Sequence, residues 1–232
     1  MPTAAPATAT PDNYTPRSGP TFNSPLGTKR SQQAIFRKII RSINSTPRGH
    51  EINMFTWNFL TREGKEALLR AQRRGVRVRL IMDDINNEQF DNTPFRRLRA
   101  GLRRGNQGRP ADRRSWARLC QGTCRGGGGA AHSKFFMFSK AGKARQVVIQ
   151  GSANLTVAST SNQWNDIYTH RGNRKVWAFA NRTFTEAARD RRARKIYMRR
   201  SFGRFDLIMF PNVGNVPDPV MQMLNRTKCR RA

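Results

Sequence analysis

Apolar side chains near the start of the chain recur at intervals of three and four. Ile35, Phe36, Ile39, Ile40 and Ile43 would share one face of a helix, so this spacing predicts an amphipathic helix over residues 31–44, stopped near Pro47. INMFTWNF (52–59) is dominated by aromatic and β-favouring residues and predicts a strand. REGKEALLRAQRRG then predicts a helix that ends at Gly75. VRVRLIMDD alternates apolar and basic positions before turning apolar throughout, as a strand does on entering a covered sheet. Strand, helix and strand in close succession predict a parallel, right-handed crossover unit.

Residues 94–104 predict a short basic helix, and SWARLC (115–120) a strand. RGGGGAA makes a flexible approach to KFFMFS (134–139), which pairs with QVVIQGS (146–152) across the turn KAGKAR. NDIYTHR adds a strand and KVWAFANRTFTEAARDR a helix. Together these predict an α/β fold with a mixed, largely parallel central sheet flanked by helices. Six of the 12 prolines fall in the first 25 residues, among Thr, Ala and Ser, so residues 1–28 are expected to be a disordered leader. Residues 29–211 form the expected folded lobe. MFPNVGNVPDPVMQMLNRTKC (209–229) predicts an extended piece, a loop and a helix from Pro219, an order like that of the segment leading into the lobe, so residues 212–232 are expected to be a C-terminal segment that could open a second lobe. No run reaches the roughly 18 apolar residues of a membrane span, and the first residues lack the layout of a signal peptide.

Charge narrows the partners. Lys and Arg total 44 against 14 Asp and Glu, a formal charge of +30. Such an excess, spread along the chain, suits nucleic acid and equally suits anionic lipid head groups. The alternative is a surface that is basic by composition alone. Cys120 and Cys124 stand in a CxxxC spacing before the glycine run. They could close a small disulfide loop, remain buried thiols or bind a metal; neither Cys229 nor His50 and His170 adds a ligand pair at zinc-site spacing. A disulfide would suit an exported, secreted or cell-surface protein.

The chemistry concentrates in AHSKFFMFSKAGKARQVVIQGSANLT (131–156). On a strand His132 and Lys134 would share a face, because the side-chain period is two. Two such groups beside glycines repel unless an anion sits between them, and a phosphate fits. Lys134 would neutralise a nonbridging oxygen, while a neutral His132 would attack phosphorus. Ser152 and Asn154, at the end of the next strand, would orient the imidazole or bind a developing oxyanion. A solvated strand edge is the plain alternative, countered by Phe135, Phe136 and Phe138, which imply burial.

HSK with GSANLT resembles the HxK and GSxN signature of the phospholipase D superfamily, whose members hydrolyse phosphodiesters. INMFTWNF with RGVRVRLIMDD, and SANLTVASTSNQWND continuing into YTHRGN, extend the resemblance over roughly residues 28 to 211. Ser139 stands where the family pattern has Asp, and the distance from there to Gly151 is longer than usual. The resemblance implies catalysis by His132, Lys134, Asn154 and Ser152, substrate binding at Gly151 and Trp164, and no cofactor or metal. Lipid degradation is the leading expectation, by phospholipid head-group hydrolysis. A nuclease of the same chemistry is second, and a catalytically inactive lobe that binds nucleic acid or anionic membrane is third. Trp57, Phe59, Trp164 and Trp177 are candidates for an acyl-chain entrance, while Asp83 and Asp84 are read as strand caps. Two HxK motifs meet at the family's active site and this chain carries one. The resemblance therefore implies either a homodimer or a second lobe that completes the site.

Overall fold

The computed structural model describes residues 10–88, 91–126, 128–211 and 215–228. The chain begins with strand β1 (Gly19–Phe22), a helical turn α1 (Lys29–Gln32) and helix α2 (Ala34–Asn44). Strands β2 (Glu51–Thr56) and β3 (Phe59–Leu60), helix α3 (Arg62–Arg73) and strand β4 (Arg77–Asp83) follow. Next come α4 (Ile85–Glu88), α5 (Thr93–Arg104) and β5 (Trp116–Cys120), then β6 (Phe135–Ala141), β7 (Ala144–Gly151) and β8 (Leu155–Thr156). The chain continues through α6 (Ala158–Ser161), β9 (Asp166–His170), α7 (Arg174–Ala187), β10 (Met198–Phe202), β11 (Phe205–Met209) and α8 (Pro219–Arg226).

Seven strands form the central sheet, in the order β1-β9-β7-β6-β2-β4-β5. Its mixed character and its flanking helices are as expected, but its balance is not. Among the described residues β2·β4 and β4·β5 pair parallel, whereas β1·β9, β9·β7, β7·β6 and β6·β2 pair antiparallel. The expectation of a largely parallel sheet extended the β2–α3–β4 crossover to the rest of the chain. The tight turn at Gly142 and Lys143 instead sends β7 straight back along β6, with Ala141 opposite Ala144, and Gly142 takes the positive φ that such a hairpin needs.

The continuous apolar strands serve two cores, because successive side chains point to opposite faces. Met54, Leu80 and Phe136 face α2, α3 and α5, where Ile39, Leu68 and Leu98 cover them. Phe55, Ile81 and Phe135 face α7 and the β10–β11 hairpin, where Val176, Phe184, Met198 and Leu207 close the second core. Phe59, a candidate for the acyl entrance, is fully buried in the first core, and Trp177 packs against the second.

The expected disorder of residues 1–28 is corrected for its described part. Residues 19–22 form an edge strand on β9, Asp12 N donates to Asn44 O, and the Arg41 guanidinium lies 4.0 Å over the Tyr14 ring. Pro20 is tolerated because β1 has one neighbour only, so its missing N–H costs no ladder bond. Residues 1–9 lie outside the described residues, as do 212–214 and 229–232 of the C-terminal segment, Cys229 included. In α8 the Asp218 carboxylate caps the helix by accepting from Val220 N and Met221 N, and Val220, Met221, Met223 and Leu224 are exposed. Among the described residues no helix is long and apolar enough to cross a membrane.

Candidate active site

The ends of four sheet strands converge on one edge. β2 and β4 run toward it, β2 ending at Thr56 just before Trp57 and β4 at Asp83, β7 runs toward it and finishes in Gly151, and β6 runs away from it just after Lys134. Parallel strands conventionally carry ligand sites at their carboxyl ends, where the connecting loops open outward.

His132 and Lys134 precede β6 rather than lying within it. The ladder nevertheless reaches Lys134, whose carbonyl accepts from Gly151 N at 3.2 Å, so the two expected motifs meet at the same height. The His132 ring is exposed and packs on Trp57, with centroids 4.8 Å apart. Lys134 is buried and folds back, so that its Nζ donates to the His132 carbonyl at 2.6 Å and lies 5.4 Å from the Trp57 centroid. Trp57 thus forms a wall behind the motif.

Asp83 fixes this turn. It is fully buried, one carboxylate oxygen accepts from Ala131 N, and the other accepts from Ile85 N at 3.0 Å. The expected strand-capping role is there in the Ile85 bond, but the bond to Ala131 also anchors the residue just before His132. This second role was not legible, because it joins residues 48 apart in sequence. Burial pushes the Asp83 carboxyl up, against the two backbone hydrogen bonds. The imidazole of His132 is held below its ordinary range by desolvation and by the Lys134 charge, with Asp83 opposing. Burial lowers the Lys134 ammonium to about 8, again opposed by Asp83. At neutral pH the pair is therefore a neutral imidazole beside a cation.

Asn154 and Ser152 serve the surroundings. The Asn154 side-chain carbonyl accepts from Asn58 N at 3.1 Å and Thr56 Oγ1 at 3.2 Å, which sets the turn that carries Trp57. Ser152 Oγ bonds to Asn165 Oδ1 at 3.1 Å and Asp166 Oδ1 at 3.2 Å, and it accepts from Asp166 N at 3.0 Å. Its hydroxyl is committed to the start of β9, so it supports the turn instead of orienting the imidazole. Gly151, expected at the substrate, has β9 in the way: a Cβ there would stand 2.1 Å from Asp166 O and 2.7 Å from Ile167 Cα. Glycine is needed for that close approach of two backbones. Trp164 lies on the loop before β9, 66% exposed.

A cavity of about 330 Å³ opens beside His132, lined on its apolar side by Phe55, Ala131, Ile208, Met209, Phe210 and Pro211. Cys120 and Cys124 are joined in a disulfide at the start of the glycine-rich approach. His50 and His170 lie elsewhere. His50 precedes β2, at the opposite end of a strand about 20 Å long, where its Nδ1 is 3.1 Å from Ser139 Oγ. Ser139 also accepts from Glu51 N at 2.9 Å. His170 packs between Tyr168 and Phe205 in an aromatic cluster.

The fold is similar to that of solved structures. NucT from Helicobacter pylori is similar over 68% of this chain and 90% of its own, at 17% identity and a TM-score of 0.51. Nuc from Salmonella typhimurium, described as a phospholipase D family member, is similar over 74% of this chain and 95% of its own, at 17% identity and a TM-score of 0.50. No curated protein matches. The family model described as "Cardiolipin synthase, PLD-like domain" matches residues 39–186, which hold β2 through most of α7 and the whole HxK and GSxN region. The chain belongs to the phospholipase D-like family.

Proposed function

We propose that the protein is a phosphodiesterase that works through a covalent phosphohistidine at His132. One observation carries this reading: a neutral, exposed imidazole is held beside the buried Lys134 cation, on a turn anchored by Asp83. An imidazole nitrogen attacks phosphorus, the P–N bond forms, and the P–O bond to the leaving alcohol breaks. The departing alkoxide takes a proton from an acid on the completing half of the site. Water, giving a proton back to that same group, then attacks phosphorus, the P–N bond breaks, and the freed imidazole and a phosphomonoester remain. The Lys134 ammonium neutralises a nonbridging oxygen as charge builds on it.

The apolar cavity beside His132 favours a phospholipid head-group diester, whose glycerol and first acyl carbons it suits. A nucleic-acid diester is the second reading, favoured by the basic surface. The completing half is a second copy or a second lobe. Supporting this, Phe22 at the end of β1 and Leu26, Val157 and Trp164 on the loops after β1 and between β8 and β9 are 66% to 87% exposed, and Asn23 ties these segments together through Ser159 O, Gln163 O and Asn165 N. These loops stand beside Ser152, at the same edge of the sheet as His132. An extracytoplasmic location belongs to the same reading, supported by the Cys120–Cys124 bond.

Hydrolysis of bis(4-nitrophenyl) phosphate with chelator present, alongside light scattering on the same sample, tests the proposal. Turnover in a dimer that disappears in His132→Ala supports it, and phosphatidylglycerol and single-stranded DNA then compete as substrates. Turnover that survives His132→Ala removes the catalytic assignment.

A further inference from the structure

A second cavity lies away from His132. It is a groove of about 740 Å³ between the N-terminal segment and α2, and Arg17, Arg30, Arg37, Lys38 and Arg41 line it together with Tyr14. No carboxylate lines it, and none of these five cations forms an ion pair among the described residues. Five like charges around one groove, without a counter-ion, make a site for an anion.

The cations are aligned. Positions 34, 37, 38 and 41 of α2 fall within one helical stripe, opposite the face that buries Ile35, Ile39 and Ile43, and Arg30 of α1 lines the same groove. The N-terminal segment forms the second wall and is itself fixed: Lys38 Nζ donates to Arg17 O and to Thr21 Oγ1, both at 3.0 Å, and Arg41 lies over Tyr14. Arg17, Arg30 and Arg37 are exposed, with no side-chain hydrogen bond among the described residues, so their guanidiniums face the opening. Five cations around one groove match several phosphates better than a single head group. The groove is concave, and its one aromatic ring already lies under Arg41, so it offers nothing to insert into a bilayer.

We propose that this groove binds the backbone of a single-stranded nucleic acid, with Arg17, Arg30, Arg37 and Arg41 as its phosphate contacts. The binding does not depend on turnover at His132 and does not rest on the catalytic reading. Salt dependence gives the test its number. About four phosphate contacts on a single strand set a slope of about −2.8 in log K against log salt, or about 50-fold weaker binding between about 50 and about 200 mM salt.

Fluorescence anisotropy of a labelled oligothymidylate reads this directly. Arg30→Ala with Arg37→Ala halves the slope, so that the same salt step weakens binding about 7-fold. Both side chains are exposed and without bonds, so the thermal melt is unchanged. Arg189→Ala with Arg194→Ala removes equal charge from the basic depression after α7 and leaves the slope as it was. His132→Ala also leaves it unchanged, which separates the groove from the catalytic proposal. Equal losses in the two double variants would mean that only total charge matters and would overturn the groove. So would an absence of oligonucleotide binding, or Arg30- and Arg37-dependent binding to phosphatidylglycerol vesicles in place of DNA.

Discussion

The state of Lys134 sets the charge of the site, and it can be observed without turnover. Its ammonium is buried and opposed only by Asp83, which brings it to about 8, far below the ordinary lysine range. At pH 7 it is then ~90% protonated and at pH 9 ~10%. Carbon-13 labelling of the lysine side chains, with an NMR titration from pH 6 to 11, should show one Cε resonance with a midpoint near 8. That resonance disappears in Lys134→Met and moves further down in Asp83→Asn, which removes the attraction that holds the proton. Burial lowers Lys38 as well, so the Lys134→Met spectrum is what assigns the signal. The folded state binds this proton less tightly than the unfolded chain, so the unfolded state holds more protons from about pH 8 up to the ordinary lysine value. This group therefore adds stability as pH rises through that window. Turnover should fall across the same range, and Lys134→Arg, which keeps its charge, should flatten the fall. If every lysine titrates above about 10, or if the low midpoint persists in Lys134→Met, the account of the site is wrong.

Three further outcomes are expected. Gly151→Ala forces a methyl group into the β9 backbone and should cost about 1–3 kcal/mol in urea unfolding; an unchanged midpoint would refute the close approach. Cys120→Ser with Cys124→Ser removes a five-residue loop closure worth about 2 kcal/mol, and a thermal melt under oxidising conditions measures it. Ser139→Asp places a carboxylate against His50, whose imidazole is held low by burial, Lys140 and Arg145, so its NMR midpoint should move up. A midpoint that stays where it was would show that the two side chains do not touch.

Local pattern carried most of the framework. The threefold and fourfold spacing of Ile35 to Ile43 marks the buried face of α2, and the apolar run Leu80 to Met82 marks the interior strand β4. KAGKAR gives the β6–β7 hairpin because the strands on either side are neighbours in sequence. What escaped are contacts between distant segments. Gly19 pairs with Thr169, and a stretch of Gly, Pro and Thr gives no periodicity from which to infer that. The β10–β11 hairpin was hidden because three consecutive residues of β10, Arg199, Arg200 and Ser201, are exposed, so no alternation marks it. At the site, HxK and GSxN identify His132 and Lys134 by type and spacing. The sharing of Ser152 with Asn165 and Asp166, and of Asp83 with Ala131, depends on loop paths that no spacing encodes.

The short strand β1 is what keeps the flank of this sheet closed. A chain begun at residue 29, where composition alone would start the folded lobe, would leave β9 as a bare rim, with Ile167 and Thr169 presenting unpaired backbone groups. Asn165 N would lose its acceptor, and the Ser159 and Gln163 carbonyls would lose the amide that Asn23 supplies. An open, β-rich rim recruits strands from neighbouring molecules. Trimming the proline-rich start to improve behaviour in solution would therefore have the reverse effect, giving a protein that associates edge to edge as its concentration rises.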